Sequence, residues 1–240
     1  MGVTINRCGI TLNKGGIKIN DLSVVPISYR ILVDLGGGLS SVPSKTPISN
    51  PDANGNYWNK FVGTGTYSGT GPIVNGFYNG LELQNIFDTN NNNLNITMTL
   101  VQTPNTSLLV GGNTPGLNGN GTTVGVGDYI GQATRDSMFT NFGDADGVLD
   151  FSGLSSDRVY SFKFWGSRLT GGALDSRVIE IKKSTDAWVS ALSYNGSNNT
   201  GYTQSAVFSG ITGSDSITFN MRSQAGSTFG YIGVIDIDVT

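Results

Sequence analysis

Apolar residues recur at every second position along most of this chain, and that period dictates strands. Tyr160, Phe162 and Phe164 alternate with Ser161 and Lys163, and Ile217, Phe219 and Met221 with Thr218, Asn220 and Arg222. Leu94, Ile96, Met98 and Leu100 do the same around Asn95, Thr97 and Thr99. A period of two places such residues on one face of a half-buried strand. Further strands are expected over 29–35, with Ile31, Val33 and Leu35 inward, and at Ile179 and Ile181, with Glu180 and Lys182 outward. The last strand is expected to carry Tyr231, Ile235, Ile237 and Val239 inward, with Asp236 and Asp238 facing solvent. Turn-rich stretches separate these segments, and no helix longer than two turns is expected. The pattern predicts an all-β protein, an antiparallel two-sheet sandwich over 29–240, preceded by a short β-rich N-terminal arm over 1–28. Residues 36–80 and 102–127 read as long loops, with a short helical turn near Trp58.

The arm repeats one seven-residue unit three times: Val3-Thr4-Ile5-Asn6, Ile10-Thr11-Leu12-Asn13 and Ile17-Lys18-Ile19-Asn20. A heptad suggests a coiled coil, but these β-branched units lack the Leu, Ala and Glu of helical heptads. Three short strands are expected instead, with Val3, Ile5, Ile10, Leu12, Ile17 and Ile19 forming the apolar face. Strands this short are marginal alone. They pack either on their own domain or on an assembly partner, meaning another protein or a copy of the chain.

Composition removes several function classes. The chain has no histidine, one cysteine (Cys8) and two glutamates, Glu82 and Glu180. Ser-His-Asp and Cys-His catalysis and thiolate zinc sites within one chain are excluded. No phosphate-binding GxxxxGK[ST] loop occurs, and no pair of carboxylates stands in settings that would separate their pKa values. The chain reads as a non-enzyme. Its net charge of −3 and the absence of a basic run argue against nucleic acid. No apolar stretch reaches the ~20 residues of a membrane span, and no secretory signal is read at the N-terminus.

Two clusters offer oxygen ligands suited to structural calcium: Asp52-x-Asn54-x-Asn56, and Asp144-x-Asp146 with Asp150 nearby. The competing reading is Asx-turn chemistry. No other cofactor is implied. For glycan binding, Trp165 falls by parity on the polar side of its strand, with Arg168 and Arg177 in the adjoining loop. Alternatively, a bulge turns Trp165 inward or a loop covers it. Trp58 and Tyr57 read as plugs of the sandwich end, and Trp188 fits either class.

The motif order Ile31-Leu32-Val33-Asp34-Leu35-Gly36, Tyr57-Trp58-Asn59-Lys60-Phe61, Leu149-Asp150-Phe151-Ser152-Gly153-Leu154, Tyr160 to Arg168 and Gly230 to Ile237 resembles the galactose-binding-like jelly-roll modules. Those modules accompany bacterial polysaccharide-degrading enzymes and surface proteins. The resemblance spans roughly 29–240 and implies a carbohydrate-binding sandwich. The arm, with the Asn/Gly/Thr-rich β composition, resembles a bacteriophage virion protein. Together they imply a capsid-decoration, head or tail-fibre protein, made in the host cytoplasm, anchored by its arm and touching host glycans. The alternative is an accessory module of a secreted or cell-surface polysaccharide-utilisation system.

Overall fold

The computed structural model describes residues 3–6, 9–12, 28–35, 49–61, 79–102, 125–135, 137–143, 145–168, 176–214 and 216–240. Two sheets face each other across one core. The first contains β5 (Leu81–Leu83), β6 (Thr97–Gln102), β8 (Gly147–Ser152), β10 (Val178–Lys183), β11 (Leu192–Asn195) and β13 (Ser216–Ser223), in the order β11-β10-β13-β8-β6-β5. The second contains β3 (Tyr29–Leu35), β4 (Asn59–Phe61), β9 (Val159–Trp165), β12 (Ala206–Thr212) and β15 (Val234–Val239), in the order β12-β9-β15-β3-β4. A ribbon of β7 (Met138–Asn141) and β14 (Phe229–Ile232) stands apart.

Eight of these strands make a jelly roll. Following the chain through β3, β8, β9, β10, β11, β12, β13 and β15, the path changes sheet at every step except β10 to β11. That winding leaves β12-β9-β15-β3 facing β11-β10-β13-β8.

The alternation read from the sequence fills the space between the sheets. Ile31, Val33, Leu35, Phe162, Phe164, Ile235, Ile237 and Val239 from one sheet meet Met98, Leu100, Leu149, Phe151, Ile181, Phe219 and Met221 from the other. Phe219 lies at the centre, with ring centroids 4.9 Å from Phe164 and 5.0 Å from Phe162. Such tilted and edge-on aromatic contacts add about 0.5–1.5 kcal/mol each beyond burial.

Several expectations need correction. The sheets are antiparallel except at one edge, where β4 runs parallel to β3 and pairs Val33 with Asn59. β4 stands where a helical turn was expected near Trp58. Leu94 precedes its strand, which starts at Thr97, and Tyr231 belongs to the ribbon because the chain breaks at Gly233 before β15. Asp236 is 2% exposed. It is buried because the second sheet carries another layer on its outer face. There Leu32, Val234 and Trp165 pack against Trp58, Val126, Tyr129 and Ala133. This cap includes the five-residue helix α1 (Gly131–Arg135). Lys182 is also buried, donating from Nζ to the Asp186 carbonyl at 2.8 Å. Glu180 is half-buried and paired with Arg222 at 2.8 Å.

In the arm, β1 (Val3–Asn6) and β2 (Gly9–Leu12) form an antiparallel hairpin that is a sheet by itself. The register sets Val3 opposite Leu12 and Ile5 opposite Ile10. The third unit, with Ile17 and Ile19, lies outside the described residues.

Candidate binding site

Three places gather the polar residues singled out above, and their geometry separates them. The first is under the cap. Arg30 of β3 grips Asp236 of β15 with two parallel hydrogen bonds of 2.8 Å, from Nε and Nη2. The Tyr129 hydroxyl donates to the same carboxylate at 2.8 Å and that of Tyr202 at 3.2 Å. Arg30 Nη1 reaches Asp128 at 2.9 Å, and Lys163 Nζ sits 3.8 Å from the Tyr202 ring centroid. The hydrogen bond to Asp236 pushes the Arg30 guanidinium further up. Burial, then the Asp236 charge, pushes the Tyr129 phenol well above its ordinary range. Arg30 thus stays charged and Tyr129 neutral near neutral pH, and the network ties cap to sheet. Trp165 belongs here. Its parity is as read, but it is 0% exposed, donates Nε1–H to the Gly201 carbonyl at 3.1 Å and meets Tyr129 edge-on. The reading in which a loop covers Trp165 is the one adopted, so its indole offers no plane to a sugar.

The second place is the loop at Asp52, Asn54 and Asn56. Asp52 Oδ1 accepts from the backbone N–H of Asn54 at 2.8 Å and of Asn56 at 2.9 Å, and Oδ2 accepts from Trp58 Nε1 at 2.7 Å. Both oxygens are spent on N–H donors, which a cation would have to displace. Asx-turn chemistry, and not a calcium cradle, describes this loop. A second copy went unread in the sequence. Asp88 Oδ1 accepts from the N–H groups of Asn90 and Asn92, at 2.9 and 2.8 Å. Both loops close with a backbone bond from the aspartate N–H to the carbonyl four residues on. Both put their fourth residue at positive φ, Gly55 at 84° and Asn91 at 68°. The signal was legible: Asp88-x-Asn90-x-Asn92 repeats the spacing of Asp52-x-Asn54-x-Asn56. The loops bond to each other, Tyr57 N–H to the Thr89 carbonyl at 3.0 Å, and to β3, Thr89 N–H to the Arg30 carbonyl at 2.8 Å. They hold Trp58 over the sheet. In the other calcium candidate, Asp146 is half-buried, Asp144 lies outside the described residues, and Asp150 accepts from Thr218 Oγ1 at 2.7 Å. No group of three or more His, Cys, Asp or Glu suited to a metal occurs among the described residues.

The third place brings Arg168 and Arg177 together, which the sequence did not foretell. Nη1 of Arg168 and Nη1 of Arg177 both donate to the Tyr231 hydroxyl oxygen, at 2.9 and 3.0 Å. Tyr231 is 0% exposed and Arg177 6%, while Arg168 is half-buried. The guanidinium carbons stand over the rings: Arg168 and Arg177 each 5.7 Å from the Tyr231 centroid, and Arg177 5.3 Å from that of Phe229. Phe139 of β7 completes the aromatic floor, 5.6 Å from Phe229. The backbone builds the site by close approach. Gly166 permits it, because a Cβ there would come within 2.4 Å of the Tyr231 carbonyl oxygen. The Tyr194 hydroxyl donates to that same carbonyl. Arg168 is held by backbone bonds to Gly196 and Asn198, each 2.8 Å. Tyr231 is the member sequence reasoning missed, since it read as one more inward strand residue.

Trp188 is the one tryptophan that reaches solvent. It sits half-buried on a 3-10 turn, with the Arg222 guanidinium 3.9 Å from its ring centroid. No described helix is long and apolar enough to cross a membrane. Compared with known proteins, the chain matches no family model, no curated sequence and no solved structure. Fold and site therefore stand on the strand order and side-chain geometry alone.

Proposed function

We propose that this chain is a non-catalytic structural protein of a virion, a jelly-roll sandwich of galactose-binding-like type displayed on the particle and fastened by its N-terminal arm. The observation that carries this reading is the β1–β2 hairpin. Among the described residues it pairs with neither sandwich sheet, yet its register aligns four apolar positions. A lone two-stranded hairpin is marginally stable in water, so an assembly partner that covers it supplies what it lacks. The polar cluster under the cap supports a display role too, since the buried carboxylate at Asp236 is locked by three side-chain partners.

Deleting residues 1–20 tests the reading. The truncated chain is expected to keep the sandwich, by circular dichroism and thermal melting, and to lose incorporation into particles. Normal incorporation of the truncated chain rejects the arm as fastener. The alternative, an accessory module of a secreted or surface polysaccharide-utilisation system, draws on the Arg168–Arg177–Tyr231 cluster alone and makes the arm dispensable for glycan binding.

A further inference from the structure

We infer that the free edge of β11 is a contact surface for a second copy of this chain, the two β11 strands pairing antiparallel about a two-fold axis. The inference goes beyond the display reading above and makes no use of the arm. It starts from the backbone groups that the edge offers. The Gly196 N–H donates to the Arg177 carbonyl at 3.0 Å, and the ladder sets Tyr194 opposite Ile179 and Leu192 opposite Ile181. Bonded and non-bonded pairs alternate along an antiparallel ladder. Leu192, Tyr194 and Gly196 therefore turn their backbone groups toward β10. Ser193 and Asn195 turn theirs the other way, so the edge offers two N–H donors and two carbonyl acceptors. Both residues are exposed, and β11 ends the strand order of its sheet.

Proteins ordinarily guard such an edge with a charge, a proline or a bulge. The neighbouring edge strand is guarded: the register of β12 slips between Phe208 and Ile211, with Gly210 at a φ of 69°. At the far edge of the first sheet, β5 exposes Glu82. The four residues of β11, Leu192 to Asn195, carry none of these devices. Residues 187–214, which hold β11, β12 and the chain between them, contain no charged side chain. Exposed apolar groups flank the edge, Leu192 at 38% and Val189 at 94%. The missing charge is what favours a second copy. A two-fold contact sets a surface against itself, so any net charge on it meets its like and repels. A charge-free edge meets itself without that cost. Its donors and acceptors also match themselves. With the axis at Tyr194, Ser193 of each copy faces Asn195 of the other, and every outward backbone group of the two strands finds a partner.

The test follows the mass of the full-length chain by light scattering over a range of concentrations, with amide hydrogen exchange read at Ser193 and Asn195. The mass is expected to double as concentration rises, and exchange at those two amides to slow in step. Ser193→Lys, which brings like charges together beside the axis, is expected to raise the midpoint about tenfold or more. Gln84→Lys, which adds the same charge beside β5, is expected to leave it unchanged. Near-UV circular dichroism checks that each variant is folded. A wild type that stays a single chain at every concentration overturns the inference. So does a doubling of mass without slower exchange at Ser193 and Asn195, as pairing through the arm would give, or an equal loss in Gln84→Lys. None of those outcomes bears on arm-dependent incorporation, so the display reading and this inference fail separately.

Discussion

Two arginine–tyrosine clusters sit on this sandwich, built from the same residue types and opposite in electrostatic logic. Under the cap, Arg30, Tyr129 and Tyr202 converge on Asp236, so donors meet an acceptor and the ensemble is closed. At the ribbon, Arg168 and Arg177 converge on the Tyr231 hydroxyl, a neutral acceptor. A closed cluster stabilises the protein that owns it. The contrast teaches that an arginine beside a tyrosine carries no functional meaning until its acceptors are counted.

The sharpest way to break the comparison is to open the closed cluster. Asp236→Asn keeps the shape and removes the charge beneath Arg30. Leaving one partner of a buried ion pair costs roughly 3–5 kcal/mol, so urea denaturation is expected to show a loss of that order. A loss below about 1 kcal/mol would mean that the cap is held by packing alone. A smaller effect is expected from Tyr129→Phe, which deletes one hydrogen bond to a charged acceptor, worth about 1.5–3 kcal/mol. Its melting temperature should fall. At the ribbon, Arg168→Gln should leave stability within about 0.5 kcal/mol of wild type, as a half-exposed side chain with no ion-pair partner among the described residues would. A large loss there would show that Arg168 is a structural brace.

The smallest effect concerns Asp238, on the outer face of β15. Burial, then the charge of Asp236, pushes its carboxyl above its ordinary range. A carboxyl whose folded pKa is raised favours the folded state while protonated, below its unfolded pKa. That contribution is lost as pH rises through the folded pKa. Asp238→Asn should therefore melt slightly above wild type at pH 7 and level with it at about pH 3, below the ordinary carboxylate range. A variant less stable at pH 7 would reverse the sign and assign Asp238 a favourable pairing with Arg30.

The two clusters also mark where sequence reading stops. Period-two alternation placed β9 and β13 and sorted their inward residues, because each strand pairs with neighbours on both sides and buries one face in a single core. The same parity put Trp165 and Asp236 on the outer face, which is correct. It then failed to see that residues 125–135 and the two Asx loops return to cover that face, since a covering layer leaves no period in the strand beneath it. β4 escaped because three residues cannot display a period. Arg168 and Arg177 were legible as residues, but their meeting on Tyr231 depends on a ribbon that closes across more than fifty positions of chain. The Asx loop at Asp88 was legible and overlooked. Calcium at Asp52 was reasonable from composition, and only the direction of its neighbours' N–H groups decided against it.

The claim on which the account depends is that the arm is a fastener whose apolar face is completed by assembly. Hydrogen exchange at the amides of 3–6 and 9–12 tests it most directly, measured on the purified chain and on the particle that carries it. The account predicts rapid exchange in the lone chain and strong protection in the particle. Equal and strong protection in both would contradict it, placing the hairpin against its own sandwich.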